Sequence, residues 1–260
     1  MPHQPHRRVC RASGLGLALA VLAAPAAAPA QEQVRPLGQA GPQELEADPH
    51  WKLTLGRYRT NDRVDATDVN LRWNGATHTA WLAYFSDSTG YAQPRAGYEV
   101  TRNFDSAHAT LSLQAASGGF AAFALSAEIG QPWYAIAGFG RTNLRPYFNL
   151  NFDPNDAITL GAGLHLPGGD RVSFYQIYDD RLGTGQRVTH LFGQHRVNDE
   201  VRLSADLFHK RGLSDADTRV GGTGLTLTAD IQRYFVRLAS DPYANFSTQR
   251  MTRLSFGMRF

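Results

Sequence analysis

The chain has 260 residues, of which 42% are hydrophobic, 11% aromatic and 19% charged, with 25 Gly and a single Cys. These proportions exclude a collagen-like chain, a disulfide-rich scaffold and a disordered acidic segment, and the abundance of Gly and aromatic residues favours β-structure over a helical bundle. The net charge of +3 is matched by three arginines near the N-terminus, so the rest of the chain is neutral and no nucleic-acid partner is predicted.

The first 30 residues have the pattern of an export signal. Basic residues precede an apolar stretch at residues 14–24, and small residues then lead to Ala30. The apolar stretch is roughly a dozen residues long, shorter than the roughly 20 that a membrane-spanning helix needs. We predict a signal peptide over residues 1–30, whose removal also removes Cys10, and a flexible periplasmic linker over residues 31–49, which lack hydrophobic periodicity.

Residues 50–260 are predicted to form a transmembrane β-barrel. Segments of about ten residues alternate apolar and polar side chains, as in 107–115, where Leu111 and Leu113 alternate with Thr110 and Ser112. A strand with lipid on one face and a lumen on the other has this repeat. A soluble β-sandwich is the alternative, but it would not repeatedly place Leu, Phe and Ala on both its buried and its exposed rows.

The number of strands follows from parity. Fifteen segments alternate, yet bacterial barrels have even strand counts. If 144–152 is a connection, the tight turns, such as Asn74-Gly75 and Ala229-Asp230, share one end of the barrel. We therefore predict a closed antiparallel barrel of about 14 strands, with 12 as the alternative if weak hairpins merge. The predicted strands are 51–60, 67–74, 77–86, 95–103, 107–115, 119–127, 132–140, 157–166, 171–178, 187–195, 200–208, 220–228, 231–239 and 249–260.

The last segment carries the most specific pattern. Leu254, Phe256, Met258 and Phe260 form one apolar face. Together with the export signal and the alternation, this strand resembles the C-terminal strand of Gram-negative outer-membrane β-barrel proteins, and no narrower family is matched by motif.

The resemblance implies an outer-membrane location in a Gram-negative bacterium. It also implies that Phe256, Met258 and Phe260 are the signal read by the barrel-assembly machinery, and that membrane lipids and lipopolysaccharide surround the barrel. Amphipathic aromatic rings suit the membrane interface. We expect this position near strand ends for Trp51, Trp73, Trp81, Trp133 and Tyr234.

The lumen wall of the late strands is predicted to be basic. Projecting the alternation inward gives the pore-lining set Arg202, Asp206, Arg233, Arg237, Arg253 and Arg259. A row of guanidinium groups lowers the barrier for anions and binds carboxylates or phosphates bidentately. The alternative is a salt-bridged filling that plugs the lumen, with acids such as Glu99 and Glu128 as partners.

The segment 141–156 is predicted to be the longest connection, and its apolar content suits a loop that folds into the barrel as a constriction. The charged residues of this constriction loop are Arg141, Arg145, Asp153 and Asp156. We expect Arg145 and Asp153 to face each other across the pore as a transverse field. In the alternative, 144–152 is a strand with Phe148 facing lipid, and 67–74 or 119–127 is then not a strand.

A narrow channel for small, anionic solutes is the predicted function. A closed structural or surface-interaction barrel and an outer-membrane lipid-modifying hydrolase are the alternatives. The sequence lacks G-x-S-x-G and H-E-x-x-H motifs, and a hydrolase would need a Ser hydroxyl beside a His at the rim. We predict no catalytic residues, cofactor or metal site.

Overall fold

The structure, a computed structural model, describes residues 50–149, 153–214 and 216–260. The predicted signal peptide and linker lie outside the described residues. In the described residues, fourteen antiparallel strands form one closed barrel. The strands are β1 (Trp51–Thr60), β2 (Asp65–Asn74), β3 (His78–Asp87), β4 (Ala92–Phe104), β5 (Ala107–Ala116), β6 (Phe120–Ile129), β7 (Trp133–Thr142), β8 (Ala157–His165), β9 (Arg171–Asp179), β10 (Arg187–Arg196), β11 (Val201–Leu213), β12 (Arg219–Ile231), β13 (Tyr234–Asp241) and β14 (Met251–Arg259).

Each strand pairs with the next along the chain, and β14 pairs back with β1. Lys52 lies opposite Arg259 at one end of this closing pair, and Thr60 lies opposite Met251 at the other. The predicted count of 14 strands is confirmed, and the described part of 144–152 contains no strand. Among the residues that the structure describes, three short 3₁₀ turns lie in the connections, at Ser117–Gly119, Pro167–Gly169 and Ala244–Phe246.

The two faces of the barrel wall differ in polarity. Leu238 lies between Leu227 and Leu254 on neighbouring strands, and all three side chains are about half exposed on the outer surface. The adjacent residue Arg237 points into the lumen, where it borders a cavity. No helix in the described residues is long and apolar enough to cross a membrane.

Aromatic side chains in the lumen lie flat against glycines on the neighbouring strand. A Cβ atom at Gly224 would lie 2.2 Å from Cζ of Phe208, the residue directly opposite. Glycine is required there because any larger side chain would occupy the space of the ring. The same cross-strand arrangement occurs at Trp81 and Gly97, Tyr134 and Gly163, and Phe235 and Gly257.

The structure corrects the interface position predicted for Trp81. Trp51, Trp73, Trp133 and Tyr234 are exposed on the outer surface near the short connections, but Trp81 is not. Its ring covers Gly97, on the same face of β4 as the buried Arg95. The reason is the two-residue period of the strand, which puts Trp81 on the lumen side together with Phe85.

A second correction concerns the connection between β12 and β13. The sequence predicts a turn at Ala229-Asp230, but the structure continues β12 to Ile231 and turns at Gln232-Arg233. Gln232 has a φ of 52°, the left-handed conformation that tight turns need. Arg233 is therefore exposed in this turn, with its guanidinium 5.3 Å from the ring centroid of Tyr234, and it does not lie on the lumen wall.

We predict that Gly224→Ala lowers the free energy of unfolding by about 1–3 kcal/mol, the usual cost of overpacking. The added methyl would displace the Phe208 ring and approach the Ser240 carbonyl oxygen at 2.6 Å. Gly193→Ala is the matched control, since nothing lies within 4 Å of its Cβ position. Denaturant unfolding followed by tryptophan fluorescence measures both. Equal stability of the two variants would contradict the packing described.

Candidate functional site in the barrel lumen

We call the end of the barrel with the short connections the turn end, and the opposite end the loop end. The lumen contains a polar cavity near the turn end. The cavity has an empty volume of ≈ 440 Å³, including space continuous with solvent. Three of the predicted pore-lining residues, Asp206, Arg237 and Arg259, border it. Lys52 and Arg171, which the sequence analysis did not include, complete its basic lining.

The four predicted arginines that lie on the lumen wall differ in their surroundings. Arg259 donates to Asp230 at 2.6 Å, and Nε of Arg237 donates to the Thr228 hydroxyl at 3.2 Å. Arg202 lies opposite Asp230 in the ladder between β11 and β12. The guanidinium of Arg253 lies 5.9 Å from the ring centroid of Tyr58, closer to the loop end.

Basic side chains outnumber acidic ones on the described lumen wall. The basic residues are Lys52, Arg72, Arg95, Arg171, Arg196, Arg202, Lys210, Arg237, Arg253 and Arg259, and the acidic residues are Asp68, Asp87, Glu99, Glu128, Asp179, Asp206, Asp230 and Asp241. The excess of basic over acidic side chains on the wall is small, and the carboxylate of Asp153 adds a further acidic group to the lumen.

Several of these charges are paired across the wall. Arg72 contacts Glu99 at 2.5 Å, and Arg171 lies 3.7 Å from Glu128. Arg95 donates to Asp68. Such pairs fill the lumen with ordered side chains and narrow it.

Six basic residues of the wall were missed in the sequence, because the alternation was projected inward only along the last strands. They are Lys52, Arg72, Arg95, Arg171, Arg196 and Lys210. The same alternation, continued along every strand, finds them. Glu99 and Glu128 were expected as partners of lumen arginines, and they lie against Arg72 and Arg171, although alternation alone does not assign these pairs.

The connection between β7 and β8 folds into the barrel at the loop end. Phe148 stacks on Phe85 of β3, with ring centroids 4.1 Å apart, and Tyr147 stacks on Phe120 of β6 at the same separation. The side chain of Gln93 accepts a hydrogen bond from the Phe148 backbone N–H at 3.1 Å. Phe148 therefore faces the lumen and not lipid.

Two further polar contacts fix the inserted segment. Gln114 donates to the Tyr147 hydroxyl at 2.6 Å, and burial raises the pKa of Tyr147 above its usual value. Asp153 approaches Nε2 of His190 at 3.2 Å, while Nδ1 of the same ring is 3.0 Å from Asp206. His190, stacked on Tyr175 at 4.6 Å, thus connects the inserted segment to the wall.

The expected transverse field between Arg145 and Asp153 is absent from the described structure. Leu144 has a φ of 59°, and the Arg145 backbone N–H donates to the Asn143 side chain at 3.2 Å. This local turn leaves Arg145 exposed at the surface. Asp153 is paired with His190 instead, a partner 37 residues away.

The remaining two charged residues of the constriction loop hold its base. Arg141 donates twice to Asp180, at 2.8 and 2.5 Å. Asp156 is buried and accepts from the Thr142 hydroxyl at 2.5 Å and from Arg181 at 2.7 Å. Both contacts lie at the rim, so they position the segment without entering the lumen.

A second connection also enters the barrel, which the sequence analysis did not predict. Phe246, between β13 and β14, is 2% exposed and packs with Val188, Phe208 and Val220. The fully buried Lys210 donates to Asp241 at 2.5 Å and to the Tyr243 carbonyl oxygen at 3.1 Å. Aromatic side chains from two connections therefore narrow the loop end.

Comparisons with known proteins found similarity in structure only. No protein-family model matches the sequence, and no curated protein matches it. The outer membrane protein Omp33 of Acinetobacter baumannii is similar in structure, with a TM-score of 0.52 and 9% identity over 82% of this chain and 99% of that chain. The NanC porin also matches, with a TM-score of 0.47 and 6% identity over 80% of this chain and 100% of that chain. The KdgM porin matches with a TM-score of 0.44 and 6% identity over 80% of this chain and 99% of that chain. At such low identity, the likeness to Omp33 shows a shared β-barrel fold.

We predict that Phe148→Cys, in a Cys10→Ser background, reacts slowly with a water-soluble maleimide because the segment is docked. Adding Asp153→Ala removes the contact to His190 while leaving the wall intact. The labelling rate should rise about tenfold or more, since a hydrogen bond to a charged group contributes roughly 1.5–3 kcal/mol. Mass spectrometry measures the labelled fraction over time.

The control is Arg145→Cys, at a position that is exposed in the structure, and this variant should react rapidly with or without Asp153→Ala. If the thiol introduced at position 148 reacts as fast as the thiol introduced at position 145 in the otherwise unchanged protein, the docked position of the segment is wrong.

Proposed function

We propose that the protein is an outer-membrane β-barrel of a Gram-negative bacterium that forms a narrow channel for small, anionic solutes. The observation that carries this proposal is the distribution of side chains across the wall. Leucines cover the outside around Leu238, while arginine and lysine line the inside. A water-soluble domain has the opposite arrangement, and a barrel in lipid needs this one.

Three further features support the membrane location. The barrel is closed, so every strand in it is paired on both sides, which lipid requires. Exposed aromatic rings, including Trp51 and Trp133, lie near the turn end, where an interface would be. Omp33, whose fold is similar, is named as an outer membrane protein.

The assembly and lipid partners follow from the same location. Phe256 and Phe260 are about half exposed on the outer face at the C-terminal end, with Met258 between them. In this position they are accessible to a barrel-assembly machinery before closure with β1. Membrane lipids and lipopolysaccharide would then surround the folded barrel, with the loop end outward.

Anion passage is supported by the cavity at the turn end. Lys52, Arg171, Arg237 and Arg259 surround the same space; of its two acidic residues, Asp206 lies against His190 and Asp230 accepts a hydrogen bond from Arg259. Guanidinium and ammonium groups replace part of the hydration of a passing carboxylate or phosphate, which lowers its barrier. The inserted segment around Phe148 sets the narrow section.

A closed structural barrel is the second candidate, because the ion pairs and both inserted connections fill much of the lumen. The paired Arg72 and Glu99 are one example. A hydrolase is not proposed. In the described part of the chain, the hydrogen-bonded histidine side chains contact aspartate, tyrosine, threonine and backbone oxygens, and no histidine bonds to a serine hydroxyl.

We predict that Leu238→Arg lowers stability by about 2–4 kcal/mol when the barrel is folded in phospholipid vesicles, the cost of arginine at the bilayer midplane. Leu238→Ala keeps the site apolar and should cost less. Urea unfolding followed by tryptophan fluorescence measures both. Recovery of the wild type as a detergent-free soluble protein, with an equally stable Leu238→Arg variant, would refute the membrane location.

We predict that single barrels in a planar bilayer conduct chloride in preference to potassium. Arg237→Gln combined with Arg259→Gln should reduce this preference several-fold, because two charges bordering the cavity are removed. Arg59→Gln, on the outer surface of β1, should leave it unchanged.

Reversal potentials in asymmetric potassium chloride measure the preference. Absence of conductance in the wild type would exclude the channel and leave the closed barrel. A conducting barrel whose anion preference survives the double substitution would exclude the arginine mechanism while retaining the channel.

A further inference from the structure

The outer face of β10, β11 and β12 carries a cluster of arginines near the loop end. Arg187 and Arg211 lie directly opposite each other in the ladder between β10 and β11. Arg219 of β12 lies opposite Leu213, which follows Arg211 by two residues on β11. We call Arg187, Arg211 and Arg219 the outer arginine cluster.

The alternation of each strand directs this cluster away from the lumen. On β11, Arg211 shares a face with the exposed Leu207, whereas Lys210 points inward and is fully buried. On β10, Arg187 shares a face with the exposed Leu191. Arg211 and Arg219 are themselves exposed, and Arg187 is half-buried. The three arginines therefore lie on the outer surface of the barrel.

The cluster lacks protein counter-charges in the described residues: no carboxylate there lies within 4.0 Å of its three side chains. By contrast, Arg57 on the outer face of β1 has the carboxylate of Asp65 at 3.6 Å. Like charges directly opposite on a sheet repel each other and destabilise the pair. An external anion bound between Arg187 and Arg211 would relieve the repulsion between their charges.

The position relative to the apolar surface indicates what kind of anion fits. Arg187 precedes Leu191 by four residues, about 13 Å along an extended strand. A lipid whose chains cover Leu191 and Leu207 would carry its phosphate at the level of the cluster. Two guanidinium groups can bind one phosphate through several parallel N–H···O bonds.

We propose that the outer arginine cluster binds the phosphate groups of an anionic lipid in the leaflet at the loop end, which is lipopolysaccharide if the outer-membrane location of the proposed function holds. The bound phosphate bridges Arg187 and Arg211, and Arg219 contributes from the adjacent strand. The binding is electrostatic at the headgroup and apolar along the chains. It orients one side of the barrel toward a specific lipid.

The test compares the wild type with Arg187→Gln plus Arg211→Gln, both refolded in detergent and titrated with purified lipopolysaccharide. Native mass spectrometry measures the bound lipid. Binding should weaken about tenfold or more, because two charge-assisted hydrogen-bonding groups are lost. Arg57→Gln plus Arg59→Gln, on the outer face of β1, should bind as the wild type does.

Stability provides a second readout that a merely misfolded variant would not reproduce. Without lipopolysaccharide, the double variant should be at least as stable as the wild type, because the repulsion between Arg187 and Arg211 is removed. With lipopolysaccharide, the wild type should become the more stable protein. Inorganic phosphate at the same phosphate concentration should not produce this reversal, which distinguishes a lipid from a free-phosphate site.

The inference would be overturned if the double variant, Arg187→Gln plus Arg211→Gln, bound lipopolysaccharide as tightly as the wild type. This holds even if both proteins insert into vesicles. Stabilisation of the wild type by inorganic phosphate to the same extent would also overturn the lipid assignment. Failure of the wild type to enter detergent micelles or vesicles would instead refute the membrane location on which the proposal rests.

Discussion

Pairing between the first and last strands is the constraint on which the rest of the structure depends. The ladder from Lys52 and Arg259 to Thr60 and Met251 turns an open sheet into a barrel without edges. An unpaired edge would expose backbone N–H and C=O groups, which is costly wherever water is excluded. Closure also fixes the inside and the outside of every strand, because side chains alternate with a period of two. The register of the β1–β14 pair therefore fixes which side chains form the apolar exterior and which form the charged lumen. It also places the outer arginine cluster outside.

A closed barrel must also fill a limited interior, and this chain does so with rings placed against glycines. Phe235 lies against Gly257, and Tyr134 lies against Gly163. A ring that lies flat on the wall occupies less of the lumen than one that projects to its centre. The bulky residues thus contribute packing while space remains around Lys52 and Arg171 for polar groups. Glycine on these strands therefore has a role in the interior and is not confined to turns.

Sequence reasoning succeeded for features that are local in the chain and failed for those that depend on distant partners. Alternation is a property of short segments, and together with the even strand count of a closed barrel it predicted the 14 strands and the connection after Thr142. Arg233 was misplaced because Gln232 adopts a left-handed turn conformation without the Gly, Asn or Asp that usually marks one. The field between Arg145 and Asp153 was wrong because Asp153 meets His190, and this contact exists only once β10 and the inserted segment are folded together. The alternation places charges on a wall, but it does not choose their partners.

The lumen changes character along its axis, and this change determines how a charged solute would meet the protein. At the loop end, Phe85, Phe148 and Phe246 belong to apolar clusters that water and ions enter poorly. At the turn end, Arg259 and Asp230 are among many polar groups around a cavity. An ion crossing an apolar section loses hydration without compensation, whereas arginines replace that hydration. In the proposed channel the energetic barrier would therefore lie at the inserted connections, and the attachment of the β7–β8 connection through Asp153 and His190 would control passage more directly than the total charge of the wall.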